Sequence, residues 1–484
     1  MKAPFIELFR TPNNCYFLDV NKNELIPISE PSFHYLRAII SGKGGDATPV
    51  PQEIIELQAQ GYLTSQSVVQ EIRHPYSKFL GTFLDRKLGK VTLQLTQNCN
   101  FRCKYCVYSE ESSQRQRSHS TARMSWTVAK QAVDFLWDHS VDSKKVNIGF
   151  YGGEPLLEFP LLQRVVEYSE ERFSGKELTF NITTNGTLLT DEMIHYFRTH
   201  DVSMMISLDG PKEINDRNRV FADGQGTYDA VMERIARIKE IASDYANTLR
   251  ISMVMDPEND FDCINAIYLE GDALDRLSIM PTIVSRDYDE DTVAFSEEYS
   301  WKYEYQRFLA ILVHWGRFPE DAVSPIAQQS VVATISDDLK IEGSPSLKNI
   351  DAPSGPCVPG QLRLFVDVNG RFFPCERVSE SSPIMCIGTL DRGFDVKQAD
   401  RVLNVGCLTE VECKQCWCFR YCTLCVQQAD DGSDELSAEA RLSSCREARA
   451  MAYGMFRNYL LFKEIPVLYS AQIRRNDQEG GETA

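Results

Sequence analysis

The sequence predicts an α/β protein built on a parallel sheet, and two observations predict it. Between residues 88 and 285, strand-like and helix-like segments alternate through six β-then-α units. Such units give parallel strands with right-handed crossovers, hence an open or closed α/β barrel. Nine of the fifteen cysteines fall between residues 357 and 425, which sets off a later region of different chemistry.

Residues 1–78 read as a small independent module. "FIELFRTPNNCYFLDVNKNELIPIS" carries two or three short strands punctuated by "TPNN" and "VNKNE". "SEPSFHYLRAIIS" and "PVPQEIIELQAQGYL" then start helices with proline just inside. Strands followed by two short helices suggest a winged-helix-like unit. It shows no basic recognition helix, so pairing of a peptide along a strand edge is expected in place of DNA reading.

In the barrel region the strand candidates are "KVTLQLT", "KVNIGFYG", "LTFNITTNG", "SMMISLDG", "LRISMVMD" and "LSIMPTIV". Helical stretches lie between them. In "TYDAVMERIARIKEIA", Val231, Ile235, Ile238 and Ile241 recur at helical intervals. Reactive residues are expected at the carboxyl ends of the strands. Residues 286–350 bridge onward, with a helix over 296–318 whose aromatic run "YSWKYEYQRF" is expected to pack between domains. The cysteine-dense region spans 351–460, and 461–484 is a polar tail expected to fray.

A formal charge of −18 argues against a nucleic-acid surface, which needs a basic stripe. No run of about 18 uncharged apolar residues occurs and the start has no apolar signal core. The expectation is a cytoplasmic chain without membrane contact, whose cysteines are kept reduced for metal or cluster ligation. The seven histidines show no metal-ligand spacing.

The stretch "LTQNCNFRCKYC" follows the first barrel strand and sets Cys99, Cys103 and Cys106 in C-x3-C-x2-C spacing. A structural zinc site would want a fourth ligand close by, and the next cysteine is Cys263. Disulfides at such spacing are strained. A 4Fe–4S cubane held by three thiolates keeps one iron open.

These residues resemble the radical S-adenosylmethionine (SAM) superfamily, in which a C-x3-C-x2-C loop follows the first strand of a partial (β/α)6 barrel. The resemblance implies that SAM chelates the open iron and is cleaved reductively to a 5′-deoxyadenosyl radical. It implies that Tyr105 packs near the adenine, and that Gly152, Gly153, Glu154 and Pro155 of "GFYGGEP" seat the SAM amine. Thr184 and Asn185 of "TTNGT" end the third strand. Ser207 and Asp209 of "SLDGPKEINDRNR" are placed near the ribose, with Arg219 near the carboxylate.

The later cysteines resemble a SPASM domain, which implies two auxiliary 4Fe–4S clusters and three in all. Carried over by motif position, Cys413, Cys416, Cys422 and Cys445 hold a distal cluster, and Cys357, Cys375 and Cys425 a proximal one. The last pair is spaced x2 where the family usually has x3. Cys386, Cys407 and Cys418 are spare and could complete the proximal set; otherwise a substrate thiol could take its open iron.

Together with the N-terminal module, this resembles maturases of ribosomally made peptides, of the sactipeptide and ranthipeptide type. The partners so implied are a Cys-rich precursor peptide gripped through its leader and an electron donor such as flavodoxin or ferredoxin. The implied reaction is thioether formation between a cysteine sulfur and a β or γ carbon. Sulfatase-maturating relatives typically place Asp after the second SPASM cysteine; here Glu376 follows Cys375, as a candidate general base or an ion-paired carboxylate. Carbon–carbon crosslinking needs the same parts, and a non-catalytic iron–sulfur or zinc peptide scaffold is the alternative of another class. Cys15 and Cys263 are expected to be buried small hydrophobes.

Overall fold

The structure is a computed structural model that describes residues 2–43, 49–108, 116–269, 274, 277–285, 293–336 and 338–465. Ile6–Arg10 (β1), Cys15–Asp19 (β2) and Glu24–Ile28 (β3) form an antiparallel sheet in the order β1-β2-β3. Helices Glu30–Ile40 and Gln52–Ala59 follow; Ser29 caps the first by accepting from the Ser32 amide, and Pro31 lies in its first turn. Alternation along the strands gives the sheet two apolar faces. Ile6, Cys15, Phe17 and Ile28 pack on the two helices. Phe9 and Leu18 pack on the other side against the cysteine-rich region and Cys445–Glu464, the last helix among the described residues.

That second face makes the N-terminal unit dependent on the rest of the chain. The Phe9 ring centre lies 5.0 Å from both Tyr453 and Phe456. Thr11, Asn14 and Tyr16 all donate to Glu464 Oε1, at 2.7, 3.0 and 2.8 Å. The expected free-standing module is therefore built into the fold, because a thin sheet with helices on one side alone would leave Phe9 and Leu18 in water. The tail expectation shifts too: the last helix runs to Glu464, and residues 466–484 lie outside the described residues.

After a short strand, Glu71–Ile72 (β4), come the six expected barrel strands: Lys90–Thr96 (β5), Lys145–Gly152 (β6), Glu177–Thr184 (β7), Val202–Ser207 (β8), Arg250–Met255 (β9) and Ser278–Ile283 (β10). Neighbours pair in parallel along the series. On the outer face Val91, Leu93, Ile148, Phe150, Ile182, Met204 and Ile251 are fully buried among helices. On the inner face most alternating positions are polar or small, among them Thr92, Gln94, Asn147, Gly149, Tyr151, Asn181, Thr183, Ser203 and Ser252, with Met205, Val254 and Met280 as apolar exceptions and Lys145, Glu177 and Arg250 as charged ones. Aliphatic layers would fill a closed barrel; this inner wall is suited to a polar chamber.

Ile350–Asp351 (β11) pairs in parallel with β4. Leu364–Val366 (β12) then pairs in parallel with β5, Leu364 beside Val91 and Val366 beside Leu93. Arg371–Phe373 (β13), Gly388–Thr389 (β14) and Gly393–Phe394 (β15) continue antiparallel, giving a ten-stranded sheet. The cysteine-rich region thus begins as an extension of the barrel sheet. In the bridge the expected helix ends at His314, and its aromatic run divides. Tyr299 and Tyr303 pack on Phe261, whereas Trp301, Tyr305 and Phe308 are exposed.

Candidate active site

The three-cysteine loop sits at the carboxyl end of β5 and is pinned by main chain. The Arg102 amide donates to Val220 O at 2.8 Å, Lys104 to Asn218 O at 2.9 Å, and Cys106 to Cys103 O at 3.1 Å. Burial pushes the Cys99 thiol up to about 12 and Cys103 up to about 11. Cys103 and Cys106 add to the rise at Cys99, so the three sulfurs share one neighbourhood. A bound metal would reverse this preference by stabilising thiolates.

Glycines 152 and 153 face the chain itself. A Cβ at Gly152 would lie 2.3 Å from Thr96 O, and one at Gly153 would lie 2.1 Å from Asn98 O. They let β6 close onto the base of the cysteine loop; the room they make is taken by that loop. Glu154 is buried, with both oxygens engaged: Oε1 accepts from Thr184 Oγ1 (2.7 Å) and the Leu156 amide (2.9 Å), and Oε2 from the Asn185 amide (2.8 Å). Asn185 in turn donates to Asn100 Oδ1 of the cysteine loop at 2.8 Å. Glu154, Thr184 and Asn185 therefore lace the ends of β6 and β7 to the loop, while Pro155 opens the turn beyond.

On the other side Tyr105, Asp209 and Arg219 come together. Tyr105 Oη donates to Asp209 Oδ2 at 2.5 Å, and Arg219 Nε lies 3.0 Å from Asp209 Oδ1. The Arg219 guanidinium stands 5.5 Å from the Tyr105 ring centre, and its charge opposes the rise of the Cys103 thiol. Asp209 Oδ1 also accepts from the Val254 amide at 3.0 Å. Ser207 ends β8 on the inner face.

All fifteen cysteines are free thiols. A cavity of about 150 Å³ is lined by Cys413, Cys416, Cys422 and Cys445, with Cys418 and Arg441. Four thiols around one cavity is the donor chemistry a cubane needs. Cys418 keeps its proton and, by hydrogen bonding to Cys416, draws the Cys416 thiol below its ordinary range. Among the described residues, no group of three His, Cys, Asp or Glu is arranged to hold a single metal ion.

The charge of Cys425 adds to the burial that raises the Cys375 thiol. Cys357 is exposed, but the turn before it is pressed onto the Cys425 segment: a Cβ at Gly355 would lie 2.1 Å from Leu424 O. The spare thiols are engaged elsewhere, Cys386 donating to Gly388 O at 3.3 Å and Cys407 to Ile72 O at 3.0 Å. Cys15 is in the N-terminal core, whereas Cys263 is exposed, against expectation, because its short helix turns that position to solvent. Glu376 pairs with Arg363 at 3.0 Å.

Sequence reading missed a buried polar knot on Glu380, which is 2% exposed. It accepts from Gln94 at 2.7 Å, Tyr108 at 3.2 Å and Arg117 Nε at 2.8 Å, and Arg117 stacks 3.9 Å over the Tyr108 ring. The participants come from segments almost three hundred residues apart, at positions 94 and 380, and no local spacing announces them.

Residues 93–267 match the model of the radical SAM superfamily. The barrel has the radical SAM fold. A protein of Methanocaldococcus jannaschii without a described activity is 33% identical over 28% of this chain and 42% of its own. The radical SAM cyclopropyl synthase TigE of Paramaledivibacter caminithermalis is 25% identical over 32% and 33%. The serine-type anaerobic sulfatase-maturating enzyme of Bacteroides thetaiotaomicron is 26% identical over 36% and 42%. The chain thus spans less than half the length of each. A solved structure described as "Native anSMEcpe with bound AdoMet" superposes with a TM-score of 0.57 at 20% identity, covering 78% of this chain and 100% of that one. The same protein with bound AdoMet and Cp18Cys peptide gives 0.56 at 19% identity, covering 78% and 99%. Among the described residues no helix is long and apolar enough to cross a membrane.

Proposed function

We propose that this chain is a radical SAM maturase that installs thioether crosslinks, cysteine sulfur to a β or γ carbon, in a ribosomally made Cys-rich precursor peptide. Cys99, Cys103 and Cys106 would hold the SAM-binding 4Fe–4S cluster; Cys413, Cys416, Cys422 and Cys445 the distal auxiliary cluster; and Cys357, Cys375 and Cys425 the proximal one. Bound cluster and SAM supply hydrogen-atom abstraction by a 5′-deoxyadenosyl radical. The chain's own residues aim and shield that chemistry. Tyr105, Asp209 and Arg219 present one wall to SAM, and the polar inner face of the barrel receives the peptide.

The observation that carries the thioether reading is the state of the carboxylate after Cys375. Glu376 is tied to Arg363 at 3.0 Å, which favours activation of a thiol at a three-thiolate cluster over proton removal by a free base. The pairing of β12 on β5 supports two metal sites acting on one substrate, since it makes them parts of one sheet. The peptide-bound neighbour supports a peptide partner. The leader would add to the edge of β3, and flavodoxin or ferredoxin would supply electrons.

Co-expression with a neighbouring Cys-rich precursor, followed by mass spectrometry and thiol alkylation, tests this reading. Each bridge should remove two hydrogens and one alkylatable thiol. Loss of two hydrogens with every thiol still reactive would mean carbon–carbon bonding, and formylglycine would mean sulfatase maturation. Cys99→Ala, Cys103→Ala or Cys106→Ala should abolish both SAM cleavage and bridging. Cys425→Ala should retain SAM cleavage and stop bridging; normal bridging in that variant would remove Cys425 from the proximal set.

A further inference from the structure

The floor of the barrel holds two cations side by side. Lys90 begins β5 and Arg363 immediately precedes β12, whose Leu364 is in register with Val91. Alternation puts both on the inner face: Lys90 shares it with Thr92 and Gln94, and Arg363 with Phe365, which packs on inner-face Tyr151. One carboxylate serves both. Glu376 bonds Arg363 at 3.0 Å and its charge is also felt by Lys90. Lys90 Nζ has a neutral partner, donating to Asn181 Oδ1 across the sheet at 3.1 Å.

Gly149 of β6 lies between Thr92 of β5 and Asn181 of β7, and a Cβ there would come within 3.1 Å of Thr92 Oγ1 and 3.3 Å of Asn181 Oδ1; its missing side chain lets Asn181 reach across to Lys90. Burial holds the Lys90 ammonium below its usual range, with Arg363 adding to the effect and Glu376 opposing it. Lys90 is half-buried and Arg363 opens to solvent with its side chain 53% exposed, so the two cations carry one positive charge beyond what Glu376 balances, and an anion would complete the set.

We propose that Lys90 and Arg363 form a carboxylate-binding site that takes a carboxylate of the substrate peptide, either an acidic side chain or the chain terminus. This rests on the maturase reading and adds a substrate requirement to it. SAM's own carboxylate is the wrong occupant: Lys90 and Thr96 are the two ends of β5, so the cysteine loop is about 20 Å away along the strand. Non-specific charge works against the site, because a chain of net −18 repels acidic peptides at large. A preference for a carboxylate must therefore be local.

The test uses the reconstituted holoenzyme with SAM and short fluorescein-labelled peptides containing one cysteine and one aspartate. Two companions replace the aspartate by asparagine or amidate the C-terminus. Anisotropy should show about tenfold weaker binding for the companion that lacks the recognised carboxylate, which also tells side chain from terminus. Lys90→Gln should bring the ratio close to one, Lys90→Arg should keep it, and Arg363→Gln should reduce it, with iron content unchanged throughout. Equal binding of all peptides to the wild type, or an unchanged preference in Lys90→Gln, overturns the site and leaves peptide modification standing. Failure of every peptide to bind, with SAM still bound, overturns both.

Discussion

Replacing Glu380 by Gln tests whether the buried knot holds the cysteine loop to the cysteine-rich region. Glu380 and Arg117 lie 2.8 Å apart with side chains 1% and 11% exposed. Gln keeps the shape and removes the charge, stranding the guanidinium without a counter-ion. Removing one partner of a buried pair costs about 3–5 kcal/mol. The amide oxygen can still accept from Arg117, so the low end, about 3 kcal/mol, applies. The loss is local to the junction of residues 94–97, 116–117 and 378–380, where the Gln97 amide bonds Ala122 O and the Glu380 amide bonds Gln116 Oε1. With about 1.4 kcal/mol per decade, amide exchange there should accelerate roughly a hundredfold. Hydrogen–deuterium exchange read by mass spectrometry reports this directly, with the outer helices as internal control. Adding Arg117→Gln should recover part of the loss, since the two sites interact. Exchange within about threefold of wild type at this junction would refute the reasoning.

Gly153→Ala should prevent the three-cysteine loop from seating, because its Cβ would fall 2.1 Å from Asn98 O; iron and sulfide per chain should drop by about one cluster while the distal set stays filled. Phe9→Ala should cost about 3–5 kcal/mol and expose the last helix, read as a lower unfolding midpoint, whereas a free-standing module would lose its own stability and leave the barrel untouched. His74 is held below its ordinary value of 6.5 by burial. Its unfolded form takes a proton first, so stability should be unaffected above about 6.5 and fall as pH drops below it; His74→Gln should flatten that arm of a pH–denaturation series. Cys263→Ser, at an exposed thiol, should change stability by less than about 0.5 kcal/mol.

Much of the site was legible because its signals are local. Three thiols within eight residues, a glycine pair at a strand end and an Asp-Gly-Pro at another are set by chain spacing, and each landed at the carboxyl end of a parallel strand. What those residues touch was less legible. Gly152 and Gly153 are small on account of Thr96 and Asn98, and Glu154 is held by Thr184, Leu156 and Asn185. Contacts among strand ends depend on how far each strand advances in the sheet, a quantity no single segment encodes.

By itself the sequence determined the alternation that makes a parallel sheet and the three-cysteine loop that follows its first strand. Those follow from periods of two and of 3.6 residues and from ligand spacing, which are properties of short stretches. Only the tertiary structure decided that β12 extends the barrel sheet, that Phe9 is buried by the last helix, that Glu380 is a hub, and that Lys90 and Arg363 stand side by side. Each joins residues far apart in the chain, and such contacts form only when backbone pairing and burial of the whole molecule choose one arrangement among many that local sequence permits.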